Sequence, residues 1–158
     1  MLDLRSNGGG QLYELRRFLG IFVQGEVGQS RDRQGAWWSL DTLHTVGEAV
    51  DRLKGVPVVV LVSGATQSGG EVAAAVLRHA LGARVLGQPS AGLTSVASLF
   101  ELPGGAQLQL PTAELYLGGR RLGRVEPDRW LPATVARAPD QDPAVQSALR
   151  ELRGTTRR

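Results

Sequence analysis

The run VPVVVLV, residues 56–62, restricts this chain more than any other stretch. Its β-branched residues favour an extended backbone, and neither face of the strand carries a polar side chain. Such a strand is buried on both faces, as in a parallel sheet. After the turn SGATQ, residues 68–81 repeat apolar positions at helical spacing. Val72, Val76 and Ala80 fall on one stripe, with Ala73, Leu77 and Leu81 beside it. Strands alternating with helices predict an α/β domain.

The remaining elements follow the same logic. MLDLR reads as a short strand, and SNGGG (6–10) as a turn in which three glycines allow close backbone approach. QLYELRRFLGIF places Leu12, Leu15, Leu19 and Phe22 at helical spacing. VQGEVGQSRDRQGAWWSL alternates loosely between turn residues, as in a hairpin or a mobile loop. DTLHTVGEAVDRL predicts a short helix and ARVLG a short strand. SVASLFELPGGAQLQLPTAELYL reads as strand, Gly-Gly turn, strand and extended segment. DPAVQSALRELR predicts a closing helix, with Asp142 as its cap and Pro143 in its first turn. A chain of 158 residues is one domain's worth. The expected organisation is therefore a single core over 1–158, with a C-terminal helix and tail over 140–158. There is no internal repeat.

Composition removes several classes of function. With no cysteine, disulfides, thiolate metal sites and a cysteine nucleophile are excluded. Two histidines, His44 and His79, are too few for a histidine zinc site unless carboxylates complete it. No metal and no cofactor are expected. The net charge is +3, and the arginines are scattered, with pairs only at Arg16–Arg17, Arg120–Arg121 and Arg157–Arg158. That distribution describes a solvated surface rather than a nucleic-acid stripe. No apolar run approaches 18 residues, so no membrane span is expected. Met1 is followed at once by LDLR, with no basic n-region and no long apolar h-region, so no signal peptide is expected in this sequence.

Ser68 lies where strand becomes helix. Glu71 follows three residues on, the spacing of a capping box. The same position suits a nucleophile, because a helix dipole and free amides there stabilise developing negative charge. Gly69 and Gly70 leave room for a substrate. Position 66 is Thr, so the G-x-S-x-G elbow pattern is not met. Spacing alone leaves both roles open.

Three segments, taken in order, resemble the C-terminal processing (tail-specific) serine peptidases and their tricorn-type relatives. LDLRSNGGG resembles their D-L-R-x-N-x-G-G segment. VPVVVLVSGATQSGGEVAAAVLRHALGARVLGQPSAGLTS resembles their nucleophile segment, in which S-A-S-A-S-E precedes a helix and a G-x-x-T-x-G loop. LFELPGGAQLQLPTAELY, followed by VEPD, resembles their closing strands and G-x-x-P-D element. The resemblance runs over residues 1 to about 130. It implies a crotonase-like (ClpP-like) core of stacked β–β–α units. It places Ser68 on the nucleophile, Gly69 on the amide after it, and Gly8 and Gly9 on the oxyanion-hole glycines. Glu126, in VEPD, falls on a glutamate that supports the catalytic network in the tricorn branch. Its other reading is a surface carboxylate beside Pro127.

The departures are equally specific. The processing peptidases use a lysine base, and the matching position here is Leu93. Leucine accepts no proton, and Lys54 lies upstream of the nucleophile strand, so the serine–lysine mechanism is excluded. GQPSAGLTS is more similar to the tricorn branch, whose histidine base precedes the D-L-R segment. That histidine and the family's PDZ domain have no counterpart in this chain, which is expected to be a core lacking its N-terminal part. His79 lies about 16 Å along the helix from Ser68 and cannot reach it. His44 falls in an ill-defined stretch.

The resemblance thus implies a serine-type endopeptidase core acting on peptide or unfolded-protein substrates through an acyl-enzyme on Ser68. Its general base lies outside this chain, and as an isolated chain it is expected to be weak or inactive. Self-association, or completion by a missing N-terminal half, is expected. The second reading is a non-catalytic remnant that binds peptides or self-associates. No compartment follows: the chain shows no export signal, whereas family members are often periplasmic or extracellular.

Overall fold

The computed structural model describes residues 1–44, 53, 55–133 and 138–155. Most of the helix expected over DTLHTVGEAVDRL, and Lys54, lie outside these residues.

At the centre is strand β4 (Val59–Val62), shorter than the VPVVVLV run because residues 56–58 only lead into it. It pairs in parallel with β1 (Leu2–Asp3) on one side and with β5 (Arg84–Gly87) on the other. β5 in turn pairs in parallel with β9 (Arg129–Trp130). Alternation along β4 explains its uniform apolarity. Val60 and Val62 pack towards helix α2 (Gly69–Leu81), whereas Val59 and Leu61 pack towards helix α3 (Pro143–Thr155). Each side chain enters one of two cores, so a polar residue at any of the four positions would be buried without water. Gly87 ends β5 at φ +126°, where a Cβ would lie 2.0 Å from the Val62 carbonyl oxygen. Only glycine fits this crossing.

The second sheet is antiparallel, in the order β3-β2-β7-β6 with β8 (Arg120–Arg121) beside β7. The VQGEVGQSRDRQGAWWSL stretch is its hairpin, β2 (Glu26–Asp32) and β3 (Trp37–Asp41). β6 (Val96–Glu101) and β7 (Gln107–Leu117) enclose the Gly-Gly turn. The expected extended segment is the continuation of β7 through Pro111.

Helix α2 lies between the sheets, against β5 of one and β2 and β7 of the other, with α1 (Leu12–Leu19) alongside. Its residues 70–77 are buried all round, which the run of three alanines permits by leaving room for both sheets. Ala80 and Leu81 continue the apolar stripe in sequence but are exposed, because the helix runs past the core there. The result is a mixed α/β fold. Among the described residues, no helix is long and apolar enough to cross a membrane.

Asp142 caps α3 as its spacing predicts, accepting from the Ala144 amide at 2.8 Å and the Val145 amide at 3.3 Å. Its other oxygen receives Arg5 at 2.7 Å, and Arg5 also binds Asp3. Hydrogen bonding by Arg5 holds the Asp142 carboxyl below the ordinary carboxylate range, against the opposing effect of burial. The Asp-Leu-Arg segment thereby ties β1 to the start of α3, which local spacing could not reveal.

Candidate active site

The turn from β4 into α2 is locked to the chain's first turn by hydrogen bonds from buried and half-buried groups. Thr66 is fully buried, donates to the Leu4 carbonyl at 2.8 Å and accepts from the Ser63 amide at 2.9 Å. Ser63 donates its hydroxyl to the Arg5 carbonyl at 2.6 Å. The Gln67 amide donates to the Asn7 carbonyl at 2.9 Å. Thr66 thus holds the turn through its hydroxyl, where the glycine of a G-x-S-x-G elbow would have none.

Ser68 follows with φ 48° and ψ −118°, the one non-glycine residue with positive φ among those described. Ordinary residues occupy such a conformation at a cost of about 1–3 kcal/mol, and it persists only where surroundings over-determine it. Here the Ser68 amide donates to Glu71 Oε2 at 3.0 Å, and the Ser68 carbonyl accepts from the Glu71 and Val72 amides. A sharp strand-to-helix turn of this kind presents the serine side chain outward at a helix N-terminus. Glu71 therefore does reach back to the Ser68 amide, as the capping spacing predicts. It also does more. It has no solvent exposure, and its Oε1 accepts from the Ser90 hydroxyl and from the Gly92 amide at 2.6 Å.

The NGGG turn sits against Ser68. A Cβ on Gly9, whose φ is +99°, would stand 2.6 Å from the Ser68 Cβ and 3.2 Å from its Oγ. A Cβ on Gly70 would meet Asn7 Oδ1 at 2.9 Å. The Gly9 amide donates to that same Asn7 Oδ1 at 2.9 Å and is not open to a ligand. Among the described residues, no protein acceptor takes up the amides of Gly8, Gly10 and Gly69.

Gly8, Gly10, Ser68 and Gly69 line one groove of about 770 Å³, together with Leu93 and Leu99. Of the residues singled out in the sequence, the structure brings Gly8, Gly9, Ser68 and Gly69 together. It does not bring Glu126 to this groove. That residue is exposed, and among the described residues only its backbone is bonded, its carbonyl accepting from Arg78 Nη1 at 2.7 Å. Leu93 is 58% exposed on the groove wall. His44 Nδ1 pairs with Gln24 Oε1 at 2.8 Å, and His79 lies against Gly118, so neither addresses Ser68. Sequence reasoning missed Asn7, Gly10 and Ser90. An Asn before glycines is a recognisable turn signal, but nothing local marks Ser90.

Compared with known proteins, residues 1–129 match the model of peptidase family S41. A carboxyl-terminal-processing protease from Picosynechococcus sp. is 32% identical over 137 residues, covering 84% of this chain and 31% of that protein. The chain thus spans less than a third of that relative's length. A lipoprotein from Streptococcus agalactiae superposes with a TM-score of 0.77 over 98% of this chain and 54% of that one, at 21% identity. The photosystem II D1 C-terminal processing protease gives 0.69 over 93% and 38% respectively, at 24% identity. These two likenesses speak to the fold.

Proposed function

This chain belongs to peptidase family S41, and from that premise we propose that it carries the nucleophile half of a serine-peptidase active site. Ser68 Oγ attacks the scissile carbonyl of a peptide lying in the 770 Å³ groove; the C–N bond breaks, the C-terminal fragment leaves as an amine carrying the proton taken from Ser68, and water then hydrolyses the acyl-enzyme. The negative charge developing on the carbonyl oxygen meets the Gly69 amide at the α2 N-terminus, with Gly8 and Gly10 as the further donors. The observation that carries this reading is the backbone of Ser68, held at φ 48° and ψ −118° where the groove meets a helix N-terminus. A plain helix cap needs no such conformation, because cap residues ordinarily sit in the extended region.

Among the described residues, no histidine or lysine lines the groove. The proton of Ser68 is therefore taken by a base outside them, on a further segment or a partner chain, and Glu126 is given no direct role. The same observation favours the second reading, a non-catalytic core that binds peptides. On either reading the domain is a single crotonase-like core over 1–158, for which the placement of α2 between a parallel and an antiparallel sheet is the support.

An alkyl fluorophosphonate separates the two readings. We expect Ser68 to be phosphonylated above the Ser68→Ala background at pH 8, with slow turnover of a mixed peptide library. Absence of labelling in a folded protein, also when an N-terminal segment carrying a histidine base is supplied, would replace the peptidase reading with the binding one.

A further inference from the structure

We propose that Glu71 and Ser90 are positioning residues for Ser68, forming one buried brace that holds the nucleophile's backbone and the Ser90–Gly92 loop beside the groove in register. The proposal rests on reading Ser68 as the nucleophile.

A helix-capping glutamate needs one oxygen and tolerates solvent. Glu71 is fully buried, and no Arg, Lys or His among the described residues is bonded to it. A carboxyl so placed is tolerable only with its hydrogen bonds complete. Its donors come from two segments far apart in the chain. Oε2 takes the Ser68 amide, and Oε1 takes the Ser90 hydroxyl and the Gly92 amide. Ser90 is 2% exposed and extends the brace, its hydroxyl accepting from the Val125 amide at 2.8 Å while its own amide donates to the Val125 carbonyl. The residue after Gly92 is Leu93, which lines the same groove as Ser68. One side chain therefore fixes both the strained residue and the loop that brings Leu93 to the groove. Without the Oε2 bond the Ser68 amide has no acceptor, and the positive-φ conformation loses one of its restraints.

The chemistry requires acceptors on both oxygens. A glutamine would turn its NH2 towards either the Ser68 amide or the Gly92 amide, donor against donor. Ser90→Ala is milder, removing the hydroxyl that links Val125 to Glu71. Displacement of a reacting group by about 1 Å can cost on the order of 10²-fold in rate. The expected result for Glu71→Gln is a fall in kinact for the fluorophosphonate by about that factor, with KI little changed. Ser90→Ala should lower kinact by less, and the double variant should be no slower than Glu71→Gln alone, as for residues that act as a unit. Val145→Ala, behind the parallel sheet in the other core, serves as the control. It should lower Tm without lowering kinact, which separates positioning from mere stability. If Glu71→Gln does not fold, Ser90→Ala carries the test. Wild-type labelling with kinact unchanged in the folded variants, or with losses that multiply, overturns the brace alone. A wild-type chain not labelled above Ser68→Ala, also with the histidine-bearing segment supplied, overturns the nucleophile reading, and the brace with it.

Discussion

Replacing Ser68 with glycine should make the protein more stable than replacing it with alanine, although both abolish its reactivity. At φ 48° and ψ −118° an L-residue is strained, by about 1–3 kcal/mol. Glycine has no Cβ and adopts either hand of the backbone equally well. Against this relief stands glycine's greater freedom in the unfolded chain, about 0.4–1 kcal/mol. The side chain of Ser68 also touches Gly9, and that small contact is lost in the glycine variant alone. The hydroxyl is missing from both variants, so their difference isolates the backbone. The balance favours glycine by about 1 kcal/mol, or roughly 2–4 °C in Tm for a chain of this size. Thermal and urea unfolding followed by circular dichroism, with wild type, Ser68→Ala and Ser68→Gly side by side, measures it. A glycine variant equal to or less stable than the alanine variant would refute the claim that this turn stores strain, and with it the observation on which the nucleophile reading leans.

Three further outcomes are expected. Asp142 is held below its usual range by Arg5, so its contribution to stability is present above its unfolded value of about 3.9 and is lost as pH falls through the lower folded value. Tm of Asp142→Asn should accordingly lie below wild type at neutral pH and converge on it at the acid end of a pH 2–6 series; parallel curves would contradict this. Leu93→Lys places an amine in the groove that Ser68 lines and should raise fluorophosphonate labelling at pH 8–9, with no gain when Ser68 is alanine. Phe100, Leu102, Leu108 and Leu110 are each at least 40% exposed on or beside the β6–β7 hairpin. Self-association at tens of micromolar in sedimentation velocity, weakened by Phe100→Glu, is the expected consequence; a monomer throughout would count against it.

What local pattern could determine, it determined. The apolar run at 56–62, the helix after Ser68, the Gly-Gly turn between β6 and β7 and the Asp142 cap each depend on neighbours within one or two turns of chain. Periodicity reports which faces must leave water, and capping reports where amides lack partners; both are written in adjacent residues. The motif order also carried Ser68, Gly8, Gly9 and Gly69 to one place. Tertiary structure decided the rest. That the Gly9 amide is spent on Asn7 while those of Gly8 and Gly10 stay open depends on how the turn settles against Ser68. The second oxygen of Glu71 finds Ser90 and Gly92, and Arg5 finds Asp142 across 137 residues, only because the parallel order β1-β4-β5-β9 brings those segments together. Glu126 shared a motif with the site yet lies outside the groove, because its side chain follows the exposed edge of its segment while Val125 turns inward. Hydrogen bonds between distant segments depend on sheet order, and no window of sequence contains both partners.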